Sequence, residues 1–167
     1  MMSSQNRGKD FENVIKKAFK RFSDVSIDRL HDQTTGYAGS SNICDFIVYK
    51  RPNQYYIECK STGGKSLPLT RITKNQFEGL IAKSKIPGVI AGVIVWFIDL
   101  DKTYFIPITY IDMLKKAGIK SINPTNDYYD ILGTDMRKFP IEGKKQRVFF
   151  RYDMTKFFKE MEKYYLL

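Results

Sequence analysis

Three side chains in this sequence are spaced for chemistry on a phosphodiester. They are Asp45, Glu58 thirteen positions later, and Lys60 just beyond Cys59. Phosphodiester hydrolysis uses a divalent ion held by hard oxygen ligands, an attacking water and a positive group near the phosphoryl oxygens. Asp45 and Glu58 can supply the carboxylates, and the backbone carbonyl of Cys59 a further oxygen. Lys60 can orient the water or stabilise charge developing on the phosphate. If two ions bind, about 3.5–4 Å apart, Glu12 is the spare carboxylate. Glu-x-Lys by itself is common on surface strands, where the same charges face water and have no function. Likewise, Glu12 as a first-turn acid satisfies a helix dipole without any catalysis.

These groups must be positioned by a hairpin. Ile43–Tyr49 and Tyr55–Lys60 read as two strands, with a turn near Pro52-Asn53. Side chains alternate along a strand, so Glu58 and Lys60 share a face with Tyr56, while Tyr55, Ile57 and Cys59 face a core. Upstream, Phe11, Val14, Ile15, Ala18, Phe19 and Phe22 recur at helical spacing, with Glu12 beside the stripe. Downstream, Thr62–Thr73 reads as a basic loop and Lys74–Lys85 as a helix carrying Gln76. Val89–Phe97 is nearly all apolar and reads as a central strand covered on both faces. Lys102–Ile106 predicts a strand, Ile108–Lys116 a helix, and Arg147–Tyr152 a last strand of the sheet. Asp153 can cap a C-terminal helix. Residues 119–143 have no clear period. The expected fold is α/β, a central mixed β-sheet flanked by helices, in a single domain spanning 1–167 with residues 1–8 flexible.

The chain has 167 residues, 28 Lys plus Arg against 18 Asp plus Glu, and a formal charge of +10. With 43% hydrophobic and 14% aromatic residues it can bury a core, which excludes a disordered basic tail. The charge favours a polyanion, nucleic acid first and an anionic membrane surface second. Two cysteines outside any CxxC pair and a lone histidine, His31, leave no visible structural zinc site. His31 can serve as a general base or as an ordinary capping residue. The start lacks a signal-peptide pattern and the longest apolar run is too short to span a bilayer, so no membrane role and a reducing cytoplasm are expected. Lys65 and Arg71 follow the catalytic strand directly and are the first candidates for phosphate contacts, with Lys74 and Arg29 beside them. Tyr37, in the Gly- and Ser-rich segment before Asp45, can stack on an unpaired base or simply pack. Lys144, Lys145 and Arg147 form a second basic group, which grips another duplex arm or is merely a solvated face.

Asp45 followed by Glu58-Cys59-Lys60 on a hairpin, with a helix after it, resembles the PD-(D/E)xK nuclease superfamily. Asn6-Arg7-Gly8, Glu12 on a helix, Ser66-Leu67-Pro68-Leu69, Gln76 and Pro87-Gly88-Val89 follow the order found in RecU Holliday junction resolvases. The likeness runs from about Asn6 to Ile106. It implies a restriction-endonuclease-like core and a homodimer cutting four-way DNA junctions symmetrically with Mg2+ or Mn2+, leaving 5′-phosphate and 3′-hydroxyl ends. It implies metal ligands Asp45 and Glu58, catalytic Lys60, supporting Gln76 and the helix carboxylate Glu12. Recombination or branch-migration proteins become candidate partners. Three departures stand out. Cys44 replaces the usual proline before the aspartate, and Ile43 replaces a metal-touching threonine. The short span from Phe22 to Asp45 has no room for the long basic stalk of the family. A compact junction resolvase fits these features. So does a structure-selective, nonspecific or restriction-like nuclease, or a DNA-binding module without catalysis.

Overall fold

A computed structural model describes residues 4–31, 41–134 and 137–165. A six-stranded mixed sheet forms its centre, with the strands β1 (Ser26–Arg29), β2 (Phe46–Lys50), β3 (Asn53–Thr62), β5 (Val89–Phe97), β6 (Lys102–Pro107) and β8 (Phe139–Pro140) in that spatial order. Only β3 and β5 pair in parallel; the other neighbours are antiparallel. Between β3 and β5 the chain crosses through β4 (Leu67–Pro68) and helix α2 (Lys74–Ser84). The turn joining β2 to β3 contains a cis peptide at Arg51–Pro52.

Side-chain alternation sorts the sheet into two cores. Tyr55, Ile57 and Cys59 of β3, with Ile90, Ile94 and Trp96 of β5, face helices α1 (Ser4–Phe19) and α5 (Thr155–Tyr165). Rings of Phe19, Tyr55, Phe105, Phe157 and Phe158 pack edge-to-face or tilted there, 5.3–6.0 Å between centroids. Tyr56 of β3 and Ala91, Val93, Val95 and Phe97 of β5 face the opposite way. They meet Leu80 of α2 and Ile108, Ile111 and Leu114 of α3 (Ile108–Lys116). The β5 strand is therefore apolar on both faces because each is covered by helices. Its Gly92 is there for space: an added Cβ would lie 2.6 Å from the Ile106 carbonyl oxygen and from the Phe105 ring.

Several expectations are revised. The first helix runs from Ser4 to Phe19, so it ends short of Phe22 and carries Glu12 in its middle and not in its first turn. Residues 43–45 precede β2 instead of opening it. Asp45 still joins the ladder through its N–H to the Ile57 carbonyl (3.1 Å) and its C=O from the Leu30 N–H (2.8 Å). The edge strand β1 was not legible, because four residues half-buried in alternation give too short a pattern. Residues 119–143 contain β7 (Ser121–Ile122), pairing with β4, then α4 (Tyr129–Leu132) and the edge strand β8. The final strand does not join the main sheet. β10 (Phe149–Tyr152) pairs instead with β9 (Gly143–Gln146) in a separate ribbon. The ribbon's two-residue turn puts Arg147 at φ 55°, and every residue of β9 is exposed, so no apolar period announced it.

Candidate active site

The site forms where β3 runs past the end of β2, still paired with β5, beside α1 and α2. Glu58 is 3% exposed, on the face covered by α2. Its Oε1 meets Lys60 Nζ at 2.6 Å and accepts a hydrogen bond from Gln76 Nε2 at 2.8 Å. Its Oε2 is buried and meets no hydrogen-bond partner among the described residues. A carboxylate oxygen left bare in a closed environment is costly unless a cation reaches it.

Gln76 is aimed at Glu58 by the start of α2. Thr73 is the N-cap; its hydroxyl accepts from the Gln76 N–H (3.2 Å) while Gln76 Oε1 accepts from the Thr73 N–H (3.0 Å). This capping box uses the amide oxygen of Gln76 and leaves its NH2 group for Glu58. Gly79, one turn further, lets α2 approach the segment before Asp45. A Cβ there would fall 2.3 Å from the Ile43 side chain.

Asp45 lies against the same group. Its Oδ2 accepts the Cys59 N–H at 2.7 Å. Burial, then the charges of Glu58 and Glu12, push the Asp45 carboxyl up to about 8, against the lowering effect of that hydrogen bond and of Lys60. Burial also raises Glu58, opposed mainly by Lys60. Such clustered acids are repulsive by themselves and become comfortable when a cation stands between them. Burial and the nearby carboxylates likewise push the Cys44 thiol up to about 12 and raise the Cys59 thiol, so neither is primed as a thiolate.

Glu12, on α1, is bound to Arg29 across 2.5 Å. Arg29, proposed from sequence as a DNA contact, is thus turned onto a carboxylate, its Nε buried with no partner among the described residues. An open cleft of about 310 Å³ brings together Lys9, Glu12, Glu58, Cys59, Lys60 and Arg71. Arg71 donates to the Ser61 carbonyl at 2.6 Å, which holds it at the rim. Lys65 and Lys74 are exposed, the latter 3.8 Å from Glu78. Tyr37 lies outside the described residues. His31 is at the surface, its carbonyl accepting from Asn42 Nδ2. Lys9 was missed in the sequence; its position three residues before Glu12, one helical turn away on the same side, was the available signal.

Among the described residues no three His, Cys, Asp or Glu side chains converge to hold a metal unaided. Two carboxylates, one with a bare buried oxygen, fit a hard cation that keeps several waters and takes its remaining ligands from substrate phosphate. Magnesium is characteristically bound in that way. Asp45, Glu58 and the Cys59 carbonyl are the groups that would hold it.

A search of the curated proteins finds no match. Among solved structures, that of Archaeoglobus fulgidus Hjc, a Holliday junction resolvase from an archaeal hyperthermophile, is similar at a TM-score of 0.50 and 18% identity. The match covers 71% of this chain and 89% of that one, and it is a likeness of fold. The RecU family profile, described as recombination protein U, matches residues 8–135, which contain the whole carboxylate–lysine group. The chain therefore belongs to the RecU family of recombination proteins and is, in its general class, a resolvase-type nuclease.

Proposed function

We propose that this protein is a Mg2+- or Mn2+-dependent endonuclease that resolves four-way DNA junctions as a homodimer. It makes paired symmetric cuts that leave 5′-phosphate and 3′-hydroxyl ends. The observation that supports this reading most is the Glu58 carboxylate, 3% exposed, with one oxygen shared by Lys60 and Gln76 and the other buried and bare. Buried acids with a purely structural role ordinarily have their oxygens satisfied.

When bound, the divalent ion would supply Lewis acidity and a more acidic water. The chain's own residues do the rest. Asp45 and Glu58 present oxygens to the cation, and Gln76 holds Glu58 in place. Lys60 sits with its ammonium 2.6 Å from Glu58, where it can orient the attacking water and stabilise negative charge on the phosphoryl oxygens. Lys9 and Arg71 at the cleft rim can contact the flanking phosphates. Glu12 is occupied by Arg29 and acts through the field it adds to Asp45. Two-fold symmetry in the substrate is matched by two sites in a homodimer.

The test is cleavage of a labelled immobile four-way junction beside a linear duplex of matched sequence, with magnesium, manganese or chelator, and with Glu58→Gln as control. Symmetric nicks near the crossover that need metal and vanish in the control are the expected result. Equal cutting of both substrates would replace junction resolution with nonspecific nuclease action. Binding without cutting would leave a DNA-binding module.

A further inference from the structure

The ribbon of β9 and β10 lies beyond the family-matched residues and takes no part in the carboxylate group. It is nonetheless firmly seated. Tyr152 shares a 2.7 Å hydrogen bond with Thr103, and the Asp153 N–H donates to the Glu142 carbonyl at 2.9 Å. Phe149 packs on Trp96 (5.5 Å between centroids), and Trp96 also packs on Phe11, the residue before Glu12. Arg21, just past the end of α1, donates to the Tyr152 carbonyl at 2.8 Å. The ribbon is thereby fixed against the same helix whose N-terminal half lines the active-site cleft.

Its charges are arranged against its own stability. Lys144 and Arg151 are directly opposite in the ladder, and both are exposed. Like charges so placed are destabilising. Among the described carboxylates neither finds an ion-pair partner, whereas Lys145 beside them is paired with Asp101. Arg21, Lys144 and Arg151 converge on a cleft of about 670 Å³, whose acids are Glu142, itself paired with Lys156, and Asp153, which caps α5. Along α1, Lys9 and Lys17, and Lys20 just past its last turn, are exposed and likewise without an ion-pair partner. Lys9 is at the active-site cleft and Lys20 next to Arg21, about 16 Å further along the axis at 1.5 Å per residue. That is the length of about five base pairs of duplex at 3.4 Å each.

We infer that the outer side of α1 and the β9–β10 ribbon form one cationic track that carries a duplex arm away from the active site through its phosphates. Lys20, Arg21, Lys144 and Arg151 grip its far end. The partner is double-stranded DNA read by backbone and not by sequence, since lysines and arginines without positioned amides or aromatic wedges contact phosphate indiscriminately. The inference rests on the nuclease reading above and extends it to the substrate outside the cleft.

The test is the salt dependence of duplex and junction binding in chelator for the wild type and a triple variant, Lys20→Gln, Lys144→Gln and Arg151→Gln. A charge-matched control removes three exposed cations elsewhere: Lys85→Gln, Lys120→Gln and Lys163→Gln. The track variant should lose roughly 10- to 100-fold in affinity, and its log K against log salt slope should shrink by about 3, one for each phosphate contact removed. The control should keep the wild-type slope. An unchanged slope in the track variant, or an equal loss in the control, would overturn the track. Metal-dependent cleavage by the wild type is scored separately: if it persists while the slopes coincide, only the track fails. If the wild type neither binds nor cuts DNA, both readings fall.

Discussion

Asp45→Asn removes a charge from the site at nearly constant shape, and the Cys59 N–H can still donate to the remaining amide oxygen. In the wild type without metal, burial and the charges of Glu58 and Glu12 push the Asp45 carboxyl from its ordinary 3.8 up to about 8. A carboxyl whose folded value is raised is fully comfortable below its unfolded value. Its contribution is then lost as pH climbs through the folded one. The metal-free wild type should therefore lose stability between about pH 4 and pH 8 relative to Asp45→Asn. Each tenfold change in proton affinity is worth about 1.4 kcal/mol, so that interval sets a ceiling of roughly 6 kcal/mol. Because Asp45 is only half-buried, an effect on the order of 2 kcal/mol is expected, with the variant the more stable protein at pH 8. The assay is urea unfolding of both proteins in chelator from pH 4 to 9, repeated with millimolar magnesium. Magnesium should raise the wild-type midpoint and leave the variant nearly unmoved, because ligand binding to the native state stabilises by mass action. A difference between the two proteins that is flat with pH, or a variant less stable at pH 8, would refute the electrostatic account of the site. Cleavage by the variant should be lost in every case.

Further perturbations separate positioning from packing. Gln76→Ala breaks both the α2 capping box and the bond to Glu58, so unfolding should show a loss of about 1–2 kcal/mol, with slower cleavage. Lys60→Met leaves Glu58 buried beside Gln76 alone; about 3 kcal/mol of stability at neutral pH should disappear, and single-turnover cleavage should fall about a hundredfold or more. Gly92→Ala drives a methyl group to 2.6 Å from the Ile106 carbonyl and the Phe105 ring, on the sheet face opposite Glu58. Thermal unfolding should report a destabilisation of about 2–3 kcal/mol, while cleavage by the folded fraction keeps its metal dependence.

Much of this protein was written locally. The β2–β3 hairpin, the doubly covered β5, the α2 start at Lys74 and the two-sided alternation of β3 follow from period, turn residues and apolar runs, which act over a few neighbours. The spacing of Asp45, Glu58 and Lys60 is itself a strand fact, so their candidacy was readable before any fold was known. What the linear pattern did not carry were choices made between distant segments. Arg29 reads as one more cation, yet its edge strand sets it against Glu12 from α1. Gln76 was named only through the family likeness; the capping box turns its amide onto Glu58, eighteen positions away. Phe149–Tyr152 carries the composition of a sheet strand, and only the competition for partners decided its place. The main-sheet edge beside β6 is taken by two residues of β8, so β10 pairs with an all-polar strand in its own ribbon. The bare oxygen of Glu58 is of the same kind. Its chemistry belongs to the residue, but its burial is produced by packing between β3 and α2, segments that meet only in the fold.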